Sequence, residues 1–216
     1  MVPTYVLITG ANRGLGFKLA KRFLALPNYT VITANRNPEH PTSHALAELP
    51  KAEGSSLVVI KYDAGCLREG YGVDHLDLVV ANAGIARAYP AVKDGRGDDI
   101  LEHIRVNMLS VASLYQATCE LLRRSAANPV YGASNPMANW YGVRIHGEDE
   151  WLTAFVVDPG WVQTDMGNAA ARGCGMEAAP DTLDRSCDGM VWVLTAATRE
   201  KYGGKVVLYT GEIPVW

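Results

Sequence analysis

The sequence predicts an α/β fold: a doubly wound parallel sheet in a single domain over residues 1–216. Three observations predict it. Short β-rich apolar runs alternate with longer stretches of helical periodicity, as parallel strands joined by crossover helices do. The first of those runs passes through a turn with three glycines straight into an amphipathic helix. A length of 216 residues with 48% apolar side chains is enough for one well-buried core.

The elements follow in order. Tyr5–Thr9 reads as the first strand and Gly14–Leu26 as the first helix, with Leu15, Leu19, Phe23 and Leu26 on one face and Pro27 ending it. Thr30–Ala34, Leu57–Tyr62 and Leu76–Ala81 read as the next three strands. Asp98–Arg124 is a long helix, since Leu101, Ile104, Met108, Val111, Tyr115, Thr118 and Leu122 recur at spacings of three and four. Asp98 and Asp99 suit its positive N-terminus. A further helix is expected from Ser134 to Glu150, then a strand Trp151–Val157, a helix Asp181–Thr198 and a closing strand Val206–Thr210. The acidic run Glu148–Glu150 reads as a solvated helix end.

Composition excludes several classes of function. A net charge of −3, with 20 Lys and Arg scattered along the chain, offers no basic face for nucleic acid. No apolar run reaches the roughly 20 residues needed to span a bilayer. The N-terminus runs directly into a strand, which predicts a cytoplasmic protein without a signal peptide. Cys66, Cys119, Cys174 and Cys187 have no metal-ligand spacing, and Pro41 separates His40 from His44, so no metal site is expected.

The chemistry starts at Val6–Gly16, Val-Leu-Ile-Thr-Gly-Ala-Asn-Arg-Gly-Leu-Gly. Glycines let the backbone turn sharply and let a pyrophosphate come close, and the free N–H groups of the helix start bind the anion. The sheet is therefore expected to be Rossmann-type. Asn35-Arg36 follows the second strand, where an acidic residue would receive the ribose 2′-hydroxyl of NAD; a cation there suits the 2′-phosphate of NADP. Arg13, inside the turn, adds a second cation on the same side.

Thr9–Gly16, in the pattern Thr-Gly-x-x-x-Gly-x-Gly, resembles the short-chain dehydrogenase/reductase family. Further landmarks of that family follow in the same order: Asn82-Ala83-Gly84, the helix asparagine Asn107, the partial tyrosine motif Tyr131–Asn135, and Asp158–Thr164. Gly142–Gly167 and Asp77–Ala86 further resemble the fungal branch that includes norsolorinic acid ketoreductase. The resemblance implies that Thr9, Gly10, Asn12, Arg13, Gly14, Leu15, Gly16, Arg36, Asn82, Ala83 and Gly84 hold the cofactor. It implies that Asp63 caps the adenine and that Pro159, Gly160, Val162 and Thr164 line the nicotinamide. Tyr131, Asn107 and the residue at position 135 are the implied catalytic positions. A homodimer or homotetramer, formed through the long helix and the tyrosine helix, is implied too. Met137, Trp140, Trp161 and Met166 flank the motifs that would face a substrate.

The sequence departs from that pattern at two places. The family's lysine, four residues after its tyrosine, is Asn135 here, and an asparagine has no positive charge to lower a phenol's pKa. The family's serine, at the end of a central strand, has no counterpart, because only Ser125–Val130 lie between the long helix and Tyr131. Ser125 comes too early and Ser134 is assigned to the tyrosine helix. The expectation is a sheet short of one central strand. Leu76–Ala81 and Trp151–Val157 would then be adjacent, or separated by an irregular crossing of Ala126–Val130. Ala64–His75 is likewise barely long enough for a crossover. Two functions stay open: an NADP(H)-dependent reductase acting on a ketone or hydroxyl of an aromatic polyketide, and a catalytically impaired relative that binds NADP(H), works in non-redox isomerisation or cyclisation, or serves as a binding or assembly subunit.

Overall fold

The computed structural model describes residues 3–61, 72–86, 92–134 and 138–215. Among the described residues, seven strands run parallel in one sheet, in the order β3-β2-β1-β4-β5-β6-β7. They are β1 Thr4–Thr9, β2 Tyr29–Asn35, β3 Ser56–Lys61, β4 Leu78–Ala81, β5 Val130–Ala133, β6 Thr153–Asp158 and β7 Val206–Leu208. The α-helices are α1 Gly14–Leu24, α2 Pro41–His44, α3 Gly97–Ile104, α4 Ser110–Arg123, α5 Asn139–Glu148, α6 Asp165–Gly173, α7 Leu183–Thr195 and α8 Arg199–Tyr202. The chain reverses direction across the sheet between β1 and β4, the switch point beside which ligands bind in open α/β sheets.

Strand alternation sorts the core into two layers. Val6, Ile8, Val80, Val130, Phe155 and Val157 face α1 and α7, where Leu19, Phe23, Met190 and Val193 meet them. Leu7, Val79, Ala81, Tyr131, Ala133, Ala154 and Val156 face α4 and α5, packing on Val111, Leu114, Leu122 and Ile145. This period of two is what a sheet covered on both faces requires. The long predicted helix is present as α3, a π-helical turn over Arg105–Leu109, and α4. Asp98 and Asp99 lie in its first turn.

Two expectations are corrected. The sheet has its central strand, and the tyrosine motif supplies it. Val130–Ala133 pair with Leu78–Ala81 on one side and with Thr153–Val156 on the other. The physical reason is backbone satisfaction, since β4 and β6 held apart would leave two buried rows of N–H and C=O groups unpaired. The short lead-in is held by Asp77, whose carboxylate accepts the Ser125 hydroxyl at 2.5 Å and the Tyr5 N–H at 2.8 Å. Gly132 fits the layer as well, because a Cβ there would lie 2.7 Å from Leu194 Cδ2. The second correction concerns Asp149, which is no solvated helix end. It accepts the Tyr115 hydroxyl, the Trp151 indole N–H at 2.7 Å and the Arg123 guanidinium at 3.4 Å. It thereby ties the end of α5 to α4.

Candidate active site

The crevice lies at the carboxyl ends of β1, β2, β4, β5 and β6. Its floor is the glycine turn after β1. Gly10 has φ +65°, and a Cβ there would come within 2.9 Å of Ala83 Cα. A Cβ on Gly16 would come within 2.5 Å of the Gly10 carbonyl and 2.6 Å of Asn82 Nδ2. Only glycine lets these three segments close up. Thr9, 2% exposed, fixes the β4 loop to the turn, its hydroxyl accepting the N–H groups of Asn82 at 3.1 Å and Ala83 at 3.0 Å. Asn82 returns a bond from Nδ2 to the Thr9 carbonyl at 2.9 Å. Thr9, Gly10, Asn82 and Ala83 are thus one hydrogen-bonded unit against which Gly16 packs, with Gly84 continuing its loop.

Arg13 stands at the N-cap of α1 in an extended conformation and makes no capping bond with its side chain. The first-turn N–H groups, at Gly14, Leu15 and Gly16, have no partner within the helix by its geometry. A helix end of this kind suits an anion. Opposite stands Thr164 at the N-cap of α6, its hydroxyl accepting Gly167 N–H at 3.0 Å. Its methyl lies 3.8 Å from where a Cβ on Gly14 would be, so two helix N-termini face one crevice. Arg13, at the N-cap of α1, and Arg36, just past the end of β2, are both exposed. Asn12 donates to the Thr42 hydroxyl at 2.8 Å, closing the α2 loop against the turn.

The segment carrying Pro159, Gly160, Val162 and Thr164 is organised by Asp181, a residue that sequence reasoning missed. Its carboxylate accepts Trp161 N–H at 3.0 Å and the Tyr209 hydroxyl at 2.7 Å, and its carbonyl accepts Gln163 N–H at 2.8 Å. Pro159 O accepts the Ser186 hydroxyl at 2.7 Å. No local pattern marks Asp181, which lies 20 residues along the chain from Trp161.

Asn107 sits in the π-helical turn, 7% exposed, and both atoms of its amide bind the backbone of Ile85. Oδ1 accepts Ile85 N–H and Nδ2 donates to Ile85 O, both at 2.8 Å. It shapes the loop after β4. Tyr131, one of the implied catalytic positions, is not in the crevice. It is 1% exposed inside β5, its hydroxyl donates to Val111 O at 2.6 Å, and its ring meets Tyr115 edge-on at 5.5 Å. Ser134 replaces it at the mouth: the residue follows β5 directly, and its N–H donates to Ala81 O at 3.2 Å. A serine at the end of the central strand is therefore present, and the signal for it was the β-prone, alternating Val-Tyr-Gly-Ala just before it. Asp63 and Asn135 lie outside the described residues.

The arrangement is matched by known proteins. The family described as short chain dehydrogenase matches residues 4–135. The chain is 38% identical to norsolorinic acid ketoreductase of Dothistroma septosporum, over 95% of this chain and 90% of that protein. It is 35% identical to norsolorinic acid ketoreductase of Aspergillus parasiticus, over 96% and 89%. The first of these alignments runs over 241 positions against the 216 residues of this chain, so the relative carries residues with no counterpart here. Among solved structures, NADPH-bound carbonyl reductase from chicken fatty liver superposes with a TM-score of 0.83 at 24% identity, over all of both chains. A Burkholderia multivorans protein of the same family with bound NADP gives 0.78 at 21% identity, over 99% and 100%. With the family matched over more than half of its length and two relatives above a third identical, the chain belongs to the short-chain dehydrogenases, a family of oxidoreductases.

Proposed function

We propose that the chain binds NADP(H) and acts on a ketone or alcohol of an aromatic polyketide-type small molecule. The observation that carries the cofactor part is the glycine turn, with its uncapped α1 N-terminus and Arg13 and Arg36 beside it. The residues fit a dinucleotide: Gly10 and Gly16 leave a cradle that a Cβ would fill, and the first-turn N–H groups suit a pyrophosphate. Thr9, Asn82 and Ala83 hold the turn open in that shape, and Arg13 and Arg36 offer cations to a 2′-phosphate. Pro159, Gly160, Val162 and Thr164 form the far wall. When bound, the nicotinamide supplies the hydride chemistry. The substrate class rests on the relatives, which bear the name norsolorinic acid ketoreductase.

The second reading, a chain impaired in reduction that keeps its fold for binding, is favoured by one observation. The Tyr131 phenol is buried and bonded to Val111 O. Among the catalytic positions implied by resemblance, Asn107 binds backbone and position 135 holds an amide, so neither moves a proton. Ser134 is left as the hydroxyl at the central strand end, able to hydrogen-bond a carbonyl oxygen but a poor acid at neutral pH. Slow reduction with intact cofactor binding is the outcome both halves support. A homodimer or homotetramer belongs to the same proposal, supported by Ile100, Leu101 and Leu109 on the long helix and Trp140 and Val143 on α5, which are all about half exposed.

The test is titration of NADPH and NADH by calorimetry. Charge-assisted bonds contribute about 1.5–3 kcal/mol each, so NADPH should bind at least about tenfold tighter. That preference should shrink in Arg36→Ala. Equal affinities, or a preference unchanged in the variant, would refute the cofactor assignment.

A further inference from the structure

We infer that His146 and Arg199 form an acid-operated clamp, in which a proton on the imidazole expels the guanidinium from the end of α5 into an acidic cleft beside it. An α-helix leaves its last carbonyls without partners in the helix, and a cation suits its negative terminus. The Arg199 guanidinium, at the start of α8, answers both needs for α5. Nη2 donates to His146 O at 2.7 Å, and Nη1 donates to Asp149 O at 3.0 Å and Leu152 O at 2.7 Å. The clamp thereby joins the last turn of α5, the turn that follows it and the lead into β6.

A fourth contact makes the clamp sensitive to a proton. Nη1 lies 3.0 Å from His146 Nδ1, and a guanidinium carries donors only. Nδ1 is therefore the acceptor, and the single ring proton sits on Nε2. A second proton would go to Nδ1 and set two cations donor to donor. At 3.0 Å unit charges repel enough, even at the dielectric of water, to shift an equilibrium about tenfold. The ring is packed on Gly203 and Gly204, where any Cβ would collide with it, and this opposes its turning away. Burial first, and then the Arg199 charge, hold the imidazole below its ordinary pKa; the Leu152 carbonyl opposes them and Lys205 adds to them. The other charged groups nearby are engaged elsewhere. On α5, Arg144 pairs with Glu148, and the Asp149 carboxylate holds Tyr115, Trp151 and Arg123. On α8, Lys201 lies over the Trp192 and Tyr202 rings.

The guanidinium has a second place to go. A cavity of about 290 Å³ opens beside it at the amino ends of β5 and β6, and Glu150, Thr198, Glu200 and Arg199 itself stand in its wall. Glu200 keeps its charge well into the acid range, because its own backbone N–H and then the Thr198 hydroxyl hold its carboxyl below the usual value. In the clamp the partners of Arg199 are neutral; in the cleft they are carboxylates. The side chain thus has two seats, and the imidazole proton decides between them. Emptying the first frees the last turn of α5, the helix that carries exposed Trp140 and Val143.

The experiment is hydrogen exchange on the intact chain, read by mass spectrometry through a series from pH 7.5 to 4.5 and corrected for the intrinsic pH dependence of exchange. The His146 Cε1–H resonance is titrated by NMR over the same series. Protection over residues 146–153 and 198–204 should fall about tenfold across it, while β1 and β4 keep theirs. His146→Gln, which accepts through an oxygen at every pH, should hold its protection throughout. Glu150→Gln combined with Glu200→Gln removes the second seat and should move the wild-type transition to lower pH. Both glutamates are exposed, so the double variant tests the clamp even where His146→Gln fails to fold. Protection over 146–153 that stays constant through the series, or that falls equally in His146→Gln, would overturn the inference. So would a His146 resonance that titrates at or above about 6.5, or a transition that does not move in the double variant.

Discussion

Tyr131→Phe separates the two roles open to that residue. The substitution keeps the ring against Tyr115 and removes one oxygen, the donor to Val111 O at 2.6 Å. Val111 lies in the first turn of α4, so its carbonyl keeps its place in the helix ladder and loses a second, buried partner. A net contribution of about 0.5–1.5 kcal/mol is the ordinary worth of such a bond. In a domain of this length that corresponds to a fall in melting midpoint of about 2–4 °C per kcal/mol. Reduction of an aromatic ketone, followed as NADPH oxidation, should be unchanged in the variant, because a phenol with 1% exposure does not reach a substrate. The assay is thermal unfolding and steady-state turnover on the same preparation. A loss of turnover of 100-fold or more with an unchanged midpoint would refute the reasoning, since that pattern belongs to a proton donor in the crevice.

Three further outcomes follow from the same geometry. Gly16→Ala should abolish dinucleotide binding, because its Cβ would sit 2.5 Å from the Gly10 carbonyl; retained NADPH affinity by calorimetry would contradict the cradle. Burial and then the Arg199 charge hold the His146 imidazole below its ordinary pKa, so the unfolded chain takes up that proton first. Stability from this site is therefore full above about pH 6.5 and lost as the pH falls through the lower folded value. Guanidinium midpoints at pH 7.5 and 5 should differ less in His146→Gln than in the wild type, and an equal difference would exclude the site. Burial pushes the Cys187 thiol up to about 12, so mass mapping after iodoacetamide should find exposed Cys174 alkylated and Cys187 protected until denaturant is added; early labelling of Cys187 would show that the α1–α7 layer opens.

What the sequence made legible was set by how local each signal is. The glycine turn, the Asn82-Ala83-Gly84 motif after β4, and the long helix with Asn107 all rest on short-range patterns, and the structure brings them together. Asp181 was invisible because its partners, two backbone N–H groups and the Tyr209 hydroxyl, lie about 20 to 28 residues away, and no residue type or spacing announces such bonds. Asn35 looked like the absence of an acidic residue; only the fold shows that its side chain is buried. The central strand is the instructive case. Val130 and Tyr131 are good strand formers, and Val-Tyr-Gly-Ala alternates between the two core layers, so the pattern was present in the chain. It was masked because Tyr131–Asn135 resemble in part the family's tyrosine motif. The conflict is settled by magnitude. A strand inserted between β4 and β6 satisfies backbone groups on both sides over four residues, each worth about 1–3 kcal/mol if left buried and unmade. Placing the tyrosine on a helix would protect catalysis and contribute nothing comparable to folding. A short-chain dehydrogenase with only six residues between the long helix and Tyr131 therefore completes its sheet first, and its tyrosine becomes part of the core.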